Sequence, residues 1–158
     1  MQPERDEIDT VCATVDAERL LATAEALIDV PSPTRSAGVV DRLAQLLADD
    51  GFPVERPDAD WPESPARGDP AVQRQEKGRT LQFNGHLDTV HLPYEAPSVI
   101  DGVLGGSGAA DMKGGLSSAI EAMRPELLPG GGILLTAHDH HEGPLGDGRQ
   151  AEALIRDG

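Results

Sequence analysis

Three stretches carry side chains that could do chemistry. The first is Asn84-Gly85-His86-Leu87-Asp88-Thr89-Val90. The second is Gly106-Ser107-Gly108-Ala109-Ala110-Asp111-Met112-Lys113-Gly114-Gly115, and the third His138-Asp139-His140-His141-Glu142-Gly143-Pro144. Residues two apart in an extended chain point to the same side, so His86 and Asp88 share a face. One can bind a cation while the other orients it or a neighbour. Gly85 removes bulk where the backbone turns. Asp111 follows a Gly-x-Gly turn and precedes a predicted helix, whose positive N-terminal end favours an ionised carboxylate. Such a carboxylate has two oxygens with which to bridge two cations. Glu142, after a predicted strand, is a third ligand candidate. Imidazole with carboxylate suits zinc, and a close pair of metals suits amide hydrolysis. Taken singly, each feature has a plainer reading. His86-x-Asp88 is then a local pair in a solvated loop, Asp111 a helix cap, and Glu142 a surface acid. Their recurrence at three successive strand ends points to a site.

The elements that must position these residues are legible from periodicity. Residues 1–13 show no pattern and read as a disordered lead-in. Leu20, Leu21, Ala24, Leu27 and Ile28 recur at helical spacing over residues 16–28, with Thr14 as the cap and Asp16 and Glu18 in the first turn. Pro31 and Pro33 end that helix and extend the chain. A second helix is predicted over 37–49, with Val39, Val40, Leu43, Leu46 and Leu47 inward and Gly51 as its stop. Phe52 to Arg56 reads as a short edge strand, and 57–69, with the lone Trp61, as a surface loop. Ala71 to Gln75 is a weak strand, turned by residues 76–79 into Thr80-Leu81-Gln82-Phe83-Asn84, where Leu81 and Phe83 share one face. Asp101-Gly102 marks a hairpin over 99–104. A helix is predicted over 112–123, a break over 129–132, and a buried central strand at Ile133-Leu134-Leu135-Thr136-Ala137. A last helix starts near Gln150. Helices alternating with strands imply an α/β sandwich with helices on both faces of a mixed, largely parallel sheet. In such sheets, sites lie beyond the carboxyl ends of the strands.

Composition narrows the partners. The net charge of −15 over 158 residues disfavours nucleic acid and anionic membranes, which demand basic patches. No run reaches the roughly 18 apolar residues that a membrane span requires. The acidic N-terminus lacks the apolar stretch of a secretory signal. The single Cys12 cannot form an internal disulfide and suits a reducing cytoplasm.

Gly85-His86-Leu87-Asp88-Thr89-Val90, followed by Asp101-Gly102-x-Leu104-x-Gly106-x-Gly108-Ala109-x-Asp111-Met112-Lys113-Gly114-Gly115, resembles the M20 family of metallopeptidases and deacylases. Val30-Pro31-Ser32-Pro33-Thr34 and Gly51-Phe52-x-Val54-Glu55 match the same pattern. The resemblance implies a three-layer α/β/α zinc-hydrolase-type sandwich, with residues 14–158 as the N-terminal part of its catalytic domain. It implies a dinuclear zinc or cobalt site in which His86 binds one metal, Asp111 bridges both and precedes a cis peptide, and Asp88 supports His86. The implied substrate is a small acyl-amino acid or peptide. A homodimer is implied only together with a further lid or dimerisation domain.

The third motif departs from the family, which has two consecutive glutamates there, a general base and then a ligand. Alignment on Gly143-Pro144 puts His141 at the base and Glu142 at the ligand. A histidine near pKa ~6.5 can take the proton of an activated water, and that is the role expected of His141. It can also bind metal itself, or mark a member that keeps the fold without turnover. His138 and His140 read as strand-end residues, and His91 has no counterpart in the family. The family's further acidic ligand, its final histidine and its lid domain have no counterpart in these 158 residues, so the fold is expected to be truncated.

Overall fold

The computed structural model describes residues 5–34, 37–56, 71–74, 80–90, 92–124 and 132–142. Four helices are described: α1 (Arg5–Ala13), α2 (Ala17–Ile28), α3 (Ala37–Asp49) and α4 (Gly114–Ala122). The strands are β1 (Val54–Glu55), β2 (Ala71–Arg74), β3 (Thr80–His86), β4 (Ser98–Ile100), β5 (Val103–Gly105) and β6 (Gly132–His138).

Helix α1 corrects the expectation of an unpatterned lead-in. Its apolar residues are too few to register as a period. Val11 and Cys12 nonetheless line an apolar groove with Val15, Leu20, Leu81 and Phe83, and that contact rewards a helix. The cap of α2 also differs. The Asp16 carboxylate, not Thr14, accepts from the backbone N–H groups of Glu18 and Arg19 at 3.1 and 3.0 Å. The Thr14 hydroxyl instead donates back to the Val11 carbonyl and closes α1. Helix α3 spans the predicted residues. Gly51 follows it at φ 81°, where a side chain would be strained, and Phe52 N–H returns to the Leu47 carbonyl.

The main sheet has the order β1-β2-β6-β3. Strands β3 and β6 run parallel from Thr80 beside Gly132 to His86 beside His138. The pairs β1–β2 and β2–β6 are antiparallel, so the sheet is mixed. The apolar run Ile133–Ala137 is central, as expected. Strand β3 runs two residues further than predicted and carries Gly85 and His86 into the sheet. Strands β4 and β5 form the expected hairpin, with Asp101 and Gly102 both at positive φ, as a tight two-residue turn requires.

One core lies between the sheet and α2, α3 and α4. It joins Leu27, Val39, Val40, Leu43, Leu47, Leu116, Ile120 and Met123 to Ile133, Leu135 and Ala137 of β6. Phe83 packs against the same cluster, while Leu81 on that face stays half exposed. The loop over 57–69 with Trp61, the turn at 76–79, most of the break at 129–132, His91 and the helix near Gln150 lie outside the described residues.

A buried carboxylate ties three helices together. Glu121 of α4 accepts from Arg19 Nε at 2.8 Å and from an Arg19 terminal nitrogen at 2.6 Å, so the pair is bidentate. It also accepts from Asp16 N–H and Arg124 Nε, while Arg124 reaches Asp50 just beyond α3. The Arg19 hydrogen bonds, which outweigh the opposing effect of burial, hold the Glu121 carboxyl down at about 2. A folded-state pKa below the unfolded one adds stability above the unfolded value, and that stability is lost as pH falls through the folded value. Glu121→Ala is therefore expected to cost about 3–5 kcal/mol near neutrality, read by urea denaturation. The gap between wild type and Glu121→Gln should close as pH falls from about 4.5 toward about 2.

Candidate metal centre

Strands β3 and β6 are parallel, so both carboxyl ends meet one edge. His86 and His138 are the last residues of these strands and lie side by side in register. The ring of His86 is buried, and Gly85 before it makes room. A Cβ on Gly85 would stand 2.6 Å from Met112 Cε and 2.7 Å from Leu116 Cδ2. The chain then leaves the sheet through Leu87, whose N–H is held by the His138 carbonyl.

The His86 Nδ1 lies 3.0 Å from the Asp88 carbonyl oxygen. A carbonyl only accepts, so Nδ1 carries the proton and Nε2 faces the site. Nε2 stands 3.1 Å from Asp111 Oδ1 and 3.7 Å from Glu142 Oε1. Burial alone would lower the pKa of this ring, but its hydrogen bonds to Asp88 and Asp111 outweigh that and raise the value to about 9.

Asp88 is buried, and its carboxylate gathers donors from three segments. Oδ2 accepts from the Thr34 hydroxyl at 2.9 Å, Glu142 N–H at 2.8 Å and His141 N–H at 3.0 Å. Burial pushes its pKa up, but His86 and these donors prevail and hold it at about 2. Asp88 thus stands where the sequence puts it, beside His86, and it also holds the turn that carries His141 and Glu142. That turn bends at His140, which has φ 61°.

The remaining expected residues converge here. The His141 ring stacks on His86 with centroids 4.2 Å apart and planes 20° from parallel. Ligand atoms of His86, His141 and Glu142 all lie within 4.8 Å of one another. Asp111 lies outside that set, with its side chain 73% exposed. The Asp111–Met112 peptide is cis, as the family resemblance implies. The helix predicted from Met112 begins only at Gly114, because Asp111 is extended and Met112 is also non-helical within a wide turn over 109–113. His138 is buried, edge-on to His141, and among the described residues neither of its ring nitrogens has a hydrogen-bond partner. Burial first, then the charges of His141 and His86, lower its pKa to about 4.

Two residues went unassigned in the sequence reading. Thr34 holds Asp88 and reaches the Glu142 carbonyl at 3.1 Å. Lys113 is fully buried and donates to the Val30 carbonyl at 3.2 Å, which fastens the proline-rich segment to the Asp111 turn. Only the family pattern around Val30–Thr34 hinted at the first. Nothing local marks a lysine for burial.

The donor set fits a divalent metal. One histidine has its outer nitrogen engaged, a second histidine and a carboxylate lie within reach, and Glu142 is only half buried. Fold and site together define a class: an α/β sandwich with an imidazole–carboxylate cluster beyond its parallel strand ends. The sequence model of Peptidase family M20/M25/M40 matches residues 82–142, the span holding all three stretches as far as Glu142. The chain is 36% identical over 145 residues to a succinyl-diaminopimelate desuccinylase of Methylorubrum extorquens, covering 81% of the chain. It spans 37% of that relative's length. The solved structure of the aminopeptidase PepT from Bacillus cereus superposes with a TM-score of 0.70 at 28% identity, covering 90% of this chain and 41% of that one. A Staphylococcus aureus tripeptidase gives the same score at 22% identity over 90% of this chain and 41% of its own. In sequence and in fold the chain is M20-like, and the sandwich expected from its motifs stands. Among the described residues, no helix is long and apolar enough to cross a membrane.

Removing the buried carboxylate tests its structural part. Asp88→Ala strands two N–H groups that it now satisfies, at about 1–3 kcal/mol each where they stay buried. Thr34→Val removes one donor and should cost about 1 kcal/mol. Urea denaturation of both variants reads the difference.

Proposed function

We propose that this chain supplies the His86 side of a metal-dependent hydrolase that cleaves an amide or peptide bond. The substrate class is an N-acyl amino acid or a short peptide, with the scissile bond beside a carboxylate. The desuccinylase and peptidase names of its relatives support that class. The observation that carries the reading is the convergence of His86, His141 and Glu142 ligand atoms at the open ends of two parallel strands.

Zinc is the cation the donor set suits best, with cobalt as a substitute. When bound, it polarises a carbonyl oxygen and makes water a stronger nucleophile. The chain's own residues prepare the place. His86 presents Nε2 because Nδ1 is committed to Asp88. Asp88 keeps that ring oriented and holds the backbone of His141 and Glu142, so one carboxylate aligns both sides of the site. Glu142 and Asp111 offer oxygens, each within 4 Å of Nε2. His141 stands in the position of a proton acceptor. A second reading, that His141 is itself a ligand, is supported by its ligand atom lying within 4.8 Å of those of His86 and Glu142. The exposed free Cys12 suits a cytoplasmic setting.

The test uses the protein as its source makes it, stripped by a chelator and reloaded with zinc or cobalt. It is assayed on a panel of N-acetyl and N-succinyl amino acids, dipeptides and tripeptides. Turnover is expected only in the reloaded enzyme, with a loss above roughly 100-fold in His86→Ala. Metal uptake with no turnover on any member of the panel would instead define a metal-binding module.

A further inference from the structure

We propose that Lys113 is a positioning residue of the cation site: its buried side chain ties the turn that carries Asp111 to segment 30–34 and so fixes Asp111 against His86. The proposal rests on the reading of a cation site at the strand ends and adds the group that spaces two of its donors. Asp111 Oδ1 stands 3.1 Å from His86 Nε2. Two donors on one tetrahedral zinc sit roughly 3.3 Å apart, given bonds of about 2.0–2.1 Å, so the gap is already near what a shared cation needs. Yet the Asp111 side chain is 73% exposed, and among the described residues its only hydrogen-bond partner is that ring. Its place is therefore set by the backbone turn beneath it.

Lys113 holds that turn through all three of its polar groups. Its N–H donates to the Gly108 carbonyl at 2.9 Å, and its carbonyl accepts from the Ser117 hydroxyl at 2.8 Å. Its Nζ leaves the turn and donates to the Val30 carbonyl at 3.2 Å. The stem runs so close to Gly108 that a Cβ there would stand 3.2 Å from Lys113 Cδ. Segment 30–34 carries the constraint onward. The Ser32 carbonyl accepts from Thr89 N–H at 2.8 Å, and Pro33 forms a bridge with Thr89. The Thr34 hydroxyl donates to Asp88, whose carbonyl oxygen engages the His86 ring. Contacts thus run unbroken from the Asp111 turn to His86. Lys113 is only 1% exposed, and among the described residues it has no carboxylate partner. A buried charge so placed costs stability, and an apolar chain of similar length would fill the space at less cost. Stability does not explain the lysine; the tether does.

The experiment uses the protein as its source makes it, stripped by a chelator, and compares wild type with Lys113→Met. Zn2+ is titrated by calorimetry and Co2+ by visible absorption, and urea denaturation reads stability. Circular dichroism checks the fold, and Lys113→Gln takes the same readings if the methionine variant does not fold. The urea midpoint is expected to be no lower than that of wild type, while zinc affinity falls about 10–100-fold and the cobalt bands shift. A merely structural lysine would give the reverse, a lower midpoint with affinity and spectrum unchanged, and that result would overturn the proposal. Thr34→Val cuts the same segment at its other anchor. The double variant should lose less affinity than the two single losses multiplied, because both act on one tether; losses that multiply in full would overturn the route through 30–34. Wild-type zinc affinity in folded Lys113→Met, with binding lost in His86→Ala, would sink the positioning role and leave the cation site standing. No uptake by the wild type would overturn the site reading and the proposal with it.

Discussion

A buried carboxylate must be surrounded by donors, and Asp88 meets that demand by drawing three segments to itself. Its donors are the Thr34 hydroxyl, the backbone of His141 and Glu142, and the His86 ring. Each donor comes from a different part of the chain. Thr34 follows the first proline turn, His86 ends one strand, and the 141–142 turn follows its parallel neighbour. An ionised group in this setting is costly unless every lone pair is used. Satisfying it therefore fixes the relative position of all three segments. The same donors keep it ionised at neutral pH and align the residues that can hold a cation.

A second constraint acts on α4. Glu121 does for the helices what Asp88 does for the strand ends: it is buried and saturated by Arg19, Arg124 and the Asp16 backbone. Leu116 and Ile120 of the same helix pack into the core with Ile133 and Leu135. Helix α4 is thus clamped at both ends. Its N-terminal end follows the Asp111 turn and its C-terminal end carries the ion pairs. Lys113 extends the clamp by tethering that turn to Val30.

The His141–Glu142 pair changes the character of the centre. Where the family pattern has two carboxylates, this chain puts an imidazole before a carboxylate, and the ring faces His86 rather than solvent alone. An imidazole donor lowers the negative charge of the site by one relative to that pattern. The chain spans 37% of the length of the desuccinylase it matches.

Much of this was legible in the residue order. Helix α3 and the two-residue hairpin turn at 101–102 follow from apolar period and turn chemistry, which are local. The central place of β6 follows from its unbroken apolar run. His86, Asp88, Asp111, His141 and Glu142 were each visible because glycines, strand ends and acids recur in a specific pattern. Other features depend on partners far away in sequence. Helix α1 forms over an apolar groove that only the folded sheet creates. The start of α4 moved two residues because the Asp111 turn is extended. Asp16 took the cap from Thr14 because its backbone meets Glu121. The burial of Lys113, the grip of Thr34 on Asp88 and the stacking of His141 on His86 arise where residues 54 to 83 apart in sequence meet. Local periodicity records which face of a segment is apolar. It does not record which donor a buried charge will find, because that choice is made only when the chain closes on itself.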